Sequence, residues 1–301
     1  MLRFDEADRE LLPGFRRQFV PTTDGTILAL TAGEGPPILM LHGDPQTHLC
    51  WHHQAVQLAE HHTVVLTDLR GRGESHKPQP GSGLDAYAKR TMATELLEVM
   101  RALGHDRFAV VGHDRGAGVA RRLALDHPEA VDRLVVMDIV PALDFYENLT
   151  AEIAQDYFYF VFLTQDHPIP ESLIAGDPRG FMRLILTGLS DKPVPYAPTA
   201  LETYLASATQ PQSITAMCEC FRAGFYLDRV HDAEDRANGR TIKCPTLVMW
   251  GEHGVVGRHF DLPGIWSRWC DSPTYQKMPT GHFIPEEAPA DVLSALRAFI
   301  G

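Results

Sequence analysis

An aspartate stands at the centre of residues 112–116, which read Gly-His-Asp-Arg-Gly. This pattern is typical of a sharp strand-to-helix turn that presents its central side chain, here Asp114, above a sheet. A carboxylate suits attack on saturated carbon, because the alkyl ester that forms can later be cleaved by water. Attack on an ester carbonyl would instead form a high-energy anhydride. Asp114 therefore favours epoxide opening or halide displacement over esterase, lipase or peptidase chemistry.

Hydrolysis of an alkyl ester on Asp114 needs a base that activates water, and histidine is suited to that task near neutral pH. The chain has 15 histidines, so position must select among them. His282 comes late in the chain, between the last strand pattern and the C-terminal helix pattern, where a base follows the nucleophile. His113 directly precedes Asp114, so its side chain points away and is interpreted as structural. Gly-x-Asp-x-Gly also occurs in ordinary turns, so the motif alone could be a chance turn. The presence of His282 as a base makes a chance turn a weaker explanation.

The base in turn needs a carboxylate that fixes its tautomer and stabilises the imidazolium. Two strand ends could supply this group. Asp138 follows the apolar strand pattern that comes after the elbow helix, and Glu252 follows the penultimate strand pattern. We assign the role to Asp138 and keep Glu252 as the alternative.

Short apolar runs alternate with helical patterns over the first half of the chain, which is typical of an α/β fold with a mostly parallel, doubly wound sheet. The expected strands lie at residues 38–41, 64–66, 108–111, 134–137, 246–250 and 274–277. Between them, residues 141–243 are helical and aromatic in pattern. The sequence therefore predicts a core of residues 1–140 and 244–301 with an inserted helical lid of residues 141–243. The aromatic run at 157–163 should pack the lid onto the core and line the pocket with at least one ring.

The composition is that of an ordinary globular protein, with 301 residues, 44% hydrophobic, and a net charge of −12. No lysine or arginine run suggests nucleic acid or an anionic membrane as a partner. The start lacks a signal-peptide pattern, so we expect a cytoplasmic protein. Five scattered cysteines without a Cys-x-x-Cys pair argue against a disulfide framework or a zinc cluster. We expect a small-molecule substrate, no cofactor, no metal, and a homodimer as the one protein assembly to consider.

Five segments together carry a family resemblance. They are residues 42–48 (His-Gly-Asp-Pro-Gln-Thr-His), 112–116, 125–128 (Leu-Asp-His-Pro), 138–141 (Asp-Ile-Val-Pro) and 281–283 (Gly-His-Phe). With them the chain resembles, over essentially its whole length, the α/β-hydrolase group that contains epoxide hydrolases and haloacetate dehalogenases. The resemblance implies an α/β-hydrolase fold with oxyanion donors from the backbone N–H groups of Asp44 and Arg115. The glycine-rich segment 68–75 is interpreted as scaffold.

The chain departs from the haloacetate branch at its substrate-binding positions. Members of that branch clamp a carboxylate with two arginines, and the second of these falls on Gly118 while Arg115 is kept. The halide donors of that branch fall on Tyr159, Phe160 and Phe221. Two of the three donors are therefore lost. Asp44 adds a negative charge that would repel a carboxylate or pair with Arg115, so an anionic substrate is disfavoured.

The sequence thus predicts an epoxide hydrolase-like enzyme in which Tyr159 donates a hydrogen bond to the ring oxygen. Tyr157 is the second choice, and Tyr204 or Tyr226 could replace the second lid tyrosine that is usual in that family. The first alternative is a haloacetate dehalogenase that binds its substrate carboxylate with Arg115. The second is a ligand receptor of the same fold without catalytic activity.

Overall fold

An eight-stranded sheet forms the centre of the computed structural model of the chain, which describes residues 4–79, 81–193 and 195–301. Its strands are β1 (Arg16–Pro21), β2 (Thr26–Ala32), β3 (Pro37–Leu41), β4 (Thr63–Thr67), β5 (Phe108–His113), β6 (Val131–Met137), β7 (Thr246–Gly251) and β8 (Pro273–Met278). Their order in the sheet is β1-β2-β4-β3-β5-β6-β7-β8. All pairs from β4 to β8 are parallel, whereas β1–β2 and β2–β4 are antiparallel. The predicted mostly parallel, doubly wound sheet is confirmed.

Two strands, β1 and β2, lie outside the strands that the apolar runs predict. β1 is an edge strand with a largely exposed or half-buried sequence, Arg-Arg-Gln-Phe-Val-Pro, so it lacks an apolar run. By contrast, every residue of β5 is buried, because helices cover both faces of the parallel part of the sheet. β2 contains a buried apolar run, Ile27-Leu28-Ala29-Leu30, which the prediction left out, so polarity explains only the omission of β1.

The helices form the layers on the sheet and a separate group above its carboxyl edge. The helices outside the predicted lid are α1 (Phe4–Leu11), α2 (His52–Leu58), α3 (Lys89–Ala102), α4 (Arg115–Asp126), α13 (Val255–His259), α14 (Leu262–Trp266), α15 (Ile284–Glu287) and α16 (Pro289–Ile300). Those between β6 and β7 are α5 (Ala142–Glu147), α6 (Ala151–Asp156), α7 (Phe158–Phe162), α8 (Ile169–Ile174), α9 (Pro178–Gly188), α10 (Pro198–Ala208), α11 (Pro211–Ala223) and α12 (Arg229–Ala237). Short 3₁₀ turns cover His48–Trp51 and Leu84–Tyr87, and a π-helical turn covers Gly224–Asp228.

Buried ion pairs fasten this inserted helical segment to the sheet-flanking helices. Arg121 and Arg122 of α4 both donate to Asp232 of α12, at 2.7 and 2.9 Å. Lys89, at the start of α3, donates from its ammonium group to Asp228 at 2.7 Å. Removing one member of such a pair would leave a buried charge without a partner. The ion pairs therefore hold α12 and the π-helical turn against the site described below.

The predicted division into core and lid at residues 140 and 244 stays a prediction. Met1, Leu2, Arg3, Pro80 and Val194 fall within its ranges but lie outside the described residues. Across the described ranges, no helix is both long and apolar enough to cross a membrane.

The chain reverses its direction of travel across the sheet at β3. From β3 it passes to β4 on one side, and β5 then pairs with β3 on the other side. At such a switch point the loops after the two strands diverge and leave a crevice at the carboxyl edge of the sheet. The segments that follow β3 and β5 contain Asp44 and Asp114.

Candidate active site

Asp114 occupies a strained turn between β5 and α4. Its φ of 49° and ψ of −119° lie outside the regions that most residues adopt, which costs about 1–3 kcal/mol. Glycine allows the neighbouring backbone to come close: a Cβ on Gly43 would lie 2.4 Å from Asp114 Cβ, and one on Gly116 would lie 2.4 Å from the Leu41 oxygen. The turn therefore holds Asp114 at the crevice with its carboxylate against the loop after β3.

One oxygen of the Asp114 carboxylate is bound by backbone. The N–H of Asp44 donates to Asp114 Oδ1 at 2.9 Å. Arg115 is the first residue of α4, so its N–H has no acceptor within that helix. Both donors assigned from the resemblance thus belong to segments that flank the carboxylate.

His282 and Asp138 lie beside the second oxygen of Asp114. His282 Nε2 is 3.7 Å from Asp114 Oδ2, and the Nδ1–H of His282 donates to Asp138 Oδ2 at 2.6 Å. The backbone N–H of Gly251 donates to the other Asp138 oxygen at 3.0 Å. Burial opposes charge on His282, but the hydrogen bond and the charge of Asp138 raise the pKa of the imidazole above 6.5. The structure therefore places the imidazole of His282 between the carboxylates of Asp114 and Asp138, which are the side chains predicted as base, nucleophile and acid.

The alternative acid, Glu252, is placed elsewhere. Its carboxylate forms an ion pair with Lys277 at 2.7 Å near the protein surface.

His113 is buried directly below the site and its ring donates to the carbonyl oxygen of His282 at 2.7 Å. Burial lowers the pKa of His113 to about 3, so the ring is neutral and supports the His282 backbone.

The Asp44 side chain pairs with Arg72, so the Asp44–Arg115 pair, one of the two roles considered for Asp44, is not formed. The Arg72 guanidinium donates to both carboxylate oxygens, with Nη2 at 2.8 Å from Oδ2. A planar guanidinium matches a carboxylate in this two-pronged arrangement. Segment 68–75 is therefore more than scaffold, because Arg72 neutralises the charge that was expected to repel an anion.

Arg115 instead lies against two aromatic rings of the inserted segment. Its Cζ is 3.5 Å from the ring centre of Phe221 and 5.3 Å from that of Phe160. The side chain is buried, and its Nε and Nη2 have no hydrogen-bond partner. The rings of Phe160 and Phe221 therefore stack on the Arg115 guanidinium, at positions where the haloacetate dehalogenase branch has halide donors.

The position of the second clamp arginine is taken over by a neighbouring lysine. A Cβ on Gly118 would lie 2.7 Å from Lys89 Cε, so the lysine stem fills the space next to that residue. The Lys89 ammonium group reaches Asp228 at the end of the π-helical turn. An arginine at Gly118 would collide with this side chain.

The four tyrosines considered from the sequence have separate environments. Tyr159 is buried and lines a cavity with Asp114 and His282, and burial together with the charge of Asp114 raises the pKa of its hydroxyl. Tyr157 lines a different cavity. Tyr204 donates to buried Glu286 at 3.1 Å, and Tyr226 is exposed, so neither replaces a second tyrosine at Asp114.

Two cavities meet at Asp114. The first, here called the tyrosine cavity, is lined by Asp44, Pro45, Asp114, Tyr159, Leu163, Phe181, Met182, Ile185, Met217, Phe221 and His282. The second, here called the arginine cavity, is lined by charged residues and a largely aromatic and aliphatic wall. Its charged members are Lys89, Asp114, Arg115, Arg121, Arg122, Asp138, Asp228 and Asp232. A ligand at the nucleophile can therefore extend in two directions with different chemistry.

Two charged residues near the site, Arg72 and Lys89, were missed by reasoning from the sequence. Arg72 lies in the Gly-Arg-Gly sequence that follows β4, and Lys89 begins α3. No spacing rule links either residue to the elbow. Within residues 4–79, 81–193 and 195–301, no cluster of three or more His, Cys, Asp or Glu side chains could hold a metal ion.

Comparison with known proteins agrees with this fold. Residues 36–289 match the family described as alpha/beta hydrolase fold. The chain is 37% identical to a fluoroacetate dehalogenase of Burkholderia sp over 96% of this chain and 95% of the relative. It is 30% identical to the soluble epoxide hydrolase of Corynebacterium sp. strain C12, again over 96% and 95%. A solved structure from Nostoc sp PCC 7120 superimposes with a TM-score of 0.92 and 42% identity, covering 95% of this chain and 98% of the other.

The relatives are named for two reactions, epoxide hydrolysis and dehalogenation, and both are hydrolytic. They support an enzyme rather than a receptor without activity. The chain therefore belongs to the α/β-hydrolase family, as an enzyme similar to both epoxide hydrolases and a fluoroacetate dehalogenase.

Proposed function

We propose that this enzyme hydrolyses epoxides to diols through a covalent ester on Asp114. The observation that carries the proposal is the tyrosine cavity, in which Asp114, His282 and Tyr159 share an otherwise largely apolar space. The one further charged side chain in that lining, Asp44, is paired with Arg72. A cavity with a nucleophile, a hydroxyl donor and no lysine or arginine in its lining suits a neutral substrate.

In the first step, Asp114 Oδ2 attacks a carbon of the epoxide and the ring carbon–oxygen bond breaks. The ring oxygen takes a proton from the Tyr159 hydroxyl, so the developing alkoxide does not stay charged in an apolar cavity. Asp114 Oδ1 stays on the N–H of Asp44 during this attack, because that bond already exists in the free enzyme. The product of the step is a hydroxyalkyl ester of Asp114.

In the second step, His282 removes a proton from water, and the water oxygen attacks Cγ of the ester. The negative charge that develops on Oδ1 is stabilised by the N–H groups of Asp44 and Arg115. The ester then collapses, and the former Oδ2 leaves with the alkyl group and takes the proton that the attacking water oxygen still carries, which completes the diol while the water oxygen remains on the Asp114 carboxylate. The proton on His282 returns through solvent to Tyr159, so one epoxide and one water yield one diol.

The test measures diol from styrene oxide and halide from chloroacetate and fluoroacetate in parallel. We expect diol from styrene oxide, and Asp114→Asn should abolish it, whereas Asp132→Asn on the surface end of β6 should not. A single turnover in oxygen-18 water should place the label in Asp114. Label found only in the diol would rule out the ester, and halide release without diol would reverse the choice of substrate.

A second function, haloacetate dehalogenation, is favoured by one specific observation. No carboxylate of the described residues lies within ion-pair distance of the buried Arg115 guanidinium, although that guanidinium lines a cavity that reaches Asp114. Because Arg72 neutralises Asp44, the repulsion between Asp44 and a substrate carboxylate is weaker than the sequence suggested. In this reaction Asp114 would displace the halide, and His282 would hydrolyse the same kind of ester.

The cytoplasmic location and the homodimer expected from the sequence remain part of this proposal. Cell fractionation tests the first, and light scattering of the purified protein tests the second.

A further inference from the structure

The loop that carries His282 is held on both sides of the histidine by one buried side chain. Residues 279–283, here called the base loop, connect β8 to α15. Glu287, the last residue of α15, is fully buried. Its carboxylate accepts from the backbone N–H of Gly281 at 2.8 Å and from that of Phe283 at 2.9 Å. Because these residues are the chain neighbours of His282, Glu287 fixes the backbone before and after the imidazole.

The same carboxylate also binds the inserted helical segment. Glu287 Oε2 accepts from the backbone N–H of Asp191, three residues beyond the end of α9, at 3.0 Å. The N–H of His282 itself donates to the carbonyl oxygen of Leu189 at 2.9 Å. A Cβ on Gly281 would lie 2.5 Å from the Asp191 nitrogen and 2.6 Å from the Leu189 oxygen, so the two segments are in close contact. The base loop and the residues after α9 therefore form one hydrogen-bonded unit with Glu287 at its centre.

The helix α9 is also part of the wall of the tyrosine cavity. Phe181, Met182 and Ile185 of this helix line that cavity. Asp114 and His282 line the same cavity. The hydrogen bonds at the end of α9 therefore hold the imidazole at a defined place relative to the space in which the ester on Asp114 would lie.

The charge of Glu287 acts on His282 as well as its hydrogen bonds. Three N–H donors suit an ionised carboxylate, which can only accept hydrogen bonds. Burial opposes charge on His282, whereas Asp138, Asp114 and Glu287 raise the pKa of its imidazole. The titratable groups that face the imidazole are three carboxylates, one neutral ring and one hydroxyl, which belong to Asp114, Asp138, Glu287, His113 and Tyr159.

We propose that Glu287 is a positioning residue for the second step of the reaction. By holding both sides of the base loop, it keeps His282 Nε2 where it can take the proton from the water that attacks the ester on Asp114. The inference rests on the proposed function, because that function supplies the ester. Glu287 takes no proton and does not touch the substrate. Attack by Asp114 does not use His282, so Glu287 should act on hydrolysis of the ester and not on its formation.

The first test compares the two steps in Glu287→Gln. The amide keeps the size of the side chain but replaces one acceptor oxygen with a group that cannot accept. Because misplacement of a catalytic group by about 1 Å can lower a rate by about hundredfold, we expect ester hydrolysis to slow by about tenfold to hundredfold. Ester formation should change much less, so rapid-quench kinetics with styrene oxide should show accumulated ester on Asp114.

Asp126→Asn is the matched control for loss of a paired carboxylate. Asp126 lies at the opposite end of α4 from the nucleophile and pairs with Arg90 and Arg240, each at 3.0 Å. The control should be less stable in urea but should hydrolyse the ester at the native rate. A merely structural role of Glu287 would instead reduce the folded fraction and lower both steps in the same proportion.

Glu287→Asp separates the charge from the reach of the side chain. Aspartate keeps the negative charge, but it is one methylene group shorter and cannot reach both flanking N–H groups. This variant should accumulate ester while the acid limb of kcat stays near its native position. In Glu287→Gln the acid limb should move to lower pH, because a negative charge that raises the pKa of His282 is lost. If Glu287→Gln does not fold, accumulation of ester in Glu287→Asp decides the question.

A measurement on the resting enzyme separates this inference from the proposed function. The proton NMR signal of His282 Nδ1–H, which is bound to Asp138 at 2.6 Å, reports the position of the ring without any substrate. The signal is assigned by its absence in His282→Gln. It should shift or broaden in Glu287→Gln and stay unchanged in Asp126→Asn. If no epoxide reacts but the signal changes in this way, the proposed function fails and the positioning role stands. An unchanged signal, or an ester that both Glu287 variants hydrolyse at the native rate, would overturn the role.

Discussion

Arg72 and Asp44 form a two-pronged ion pair that joins the loop after β4 to the loop after β3. The same Asp44 donates its backbone N–H to Asp114 Oδ1 at 2.9 Å. The Asp44 side chain is held by Arg72, and this ion pair therefore fixes the position of the Asp44 backbone N–H that binds Asp114. Both side chains are largely buried, so each charge is stabilised by the opposite charge of its partner.

Arg72→Gln should destabilise the protein and reduce its activity. It leaves the Asp44 carboxylate buried without a partner, which costs about 3 kcal/mol or more in the free energy of unfolding. The loop that carries the Asp44 N–H should shift, so kcat should fall more than KM rises. Urea unfolding and steady-state kinetics measure the two effects. The double variant Asp44→Asn/Arg72→Gln should recover much of the stability, and failure to do so would mean that Arg72 acts through other contacts.

The turnover of the enzyme should fall at acid pH because His282 becomes protonated. Although burial opposes it, Asp138 raises the pKa of His282 above 6.5, and only the neutral imidazole can take a proton from water. As the pH falls through that raised pKa, ester hydrolysis stops while attack by Asp114 continues. Rapid-quench kinetics at acid pH should therefore show a burst of ester with little turnover. Loss of the burst and the turnover together would place the controlling group in the first step.

His282→Gln should trap the ester on Asp114. Glutamine cannot accept the proton from water, but the Asp44 N–H that binds the Asp114 carboxylate remains. Mass spectrometry after incubation with styrene oxide should find one adduct per chain, on the peptide that contains Asp114. His259→Gln, which alters a histidine paired with Asp156 outside the site, is the control and should turn over without an adduct. A His282→Gln enzyme that forms no adduct would remove His282 from the role of base.

The central strands and the chain order of Asp114, Asp138 and His282 were predictable from the sequence because both depend on local patterns. Asp114 and Asp138 follow apolar runs and His282 follows the last strand pattern, and parallel strands place their carboxyl ends at one edge. The edge strand β1 was not predictable in this way, since it begins with three polar residues and only Val20 of the strand is buried.

The pairing of charges was not predictable, because it depends on how distant segments pack. Arg72 and Asp44 are 28 residues apart, and Lys89 reaches Asp228 across 139 residues. Single-sequence patterns contain no information on such partners, and for Asp44 they suggested repulsion of a carboxylate or a pair with Arg115. Phe160 and Phe221 show the same limit: the sequence reveals that they cannot donate to a halide, but only the packing reveals that they stack on Arg115.

Tyr159→Phe should separate epoxide opening from halide displacement. Removal of the hydroxyl leaves the ring oxygen without a proton donor, so diol formation should fall by about hundredfold, as for other positioned acids. A departing halide needs no proton, but Tyr159 is the one halide-donor position that still has a donor, so halide release from chloroacetate should fall by less than diol formation. The rates of diol and halide formation by the same preparations provide the measurement. Tyr226→Phe, which alters an exposed tyrosine of the π-helical turn, should change neither rate. A parallel loss of both reactions in Tyr159→Phe would instead indicate that the hydroxyl positions Asp114, whose charge acts on it across the tyrosine cavity.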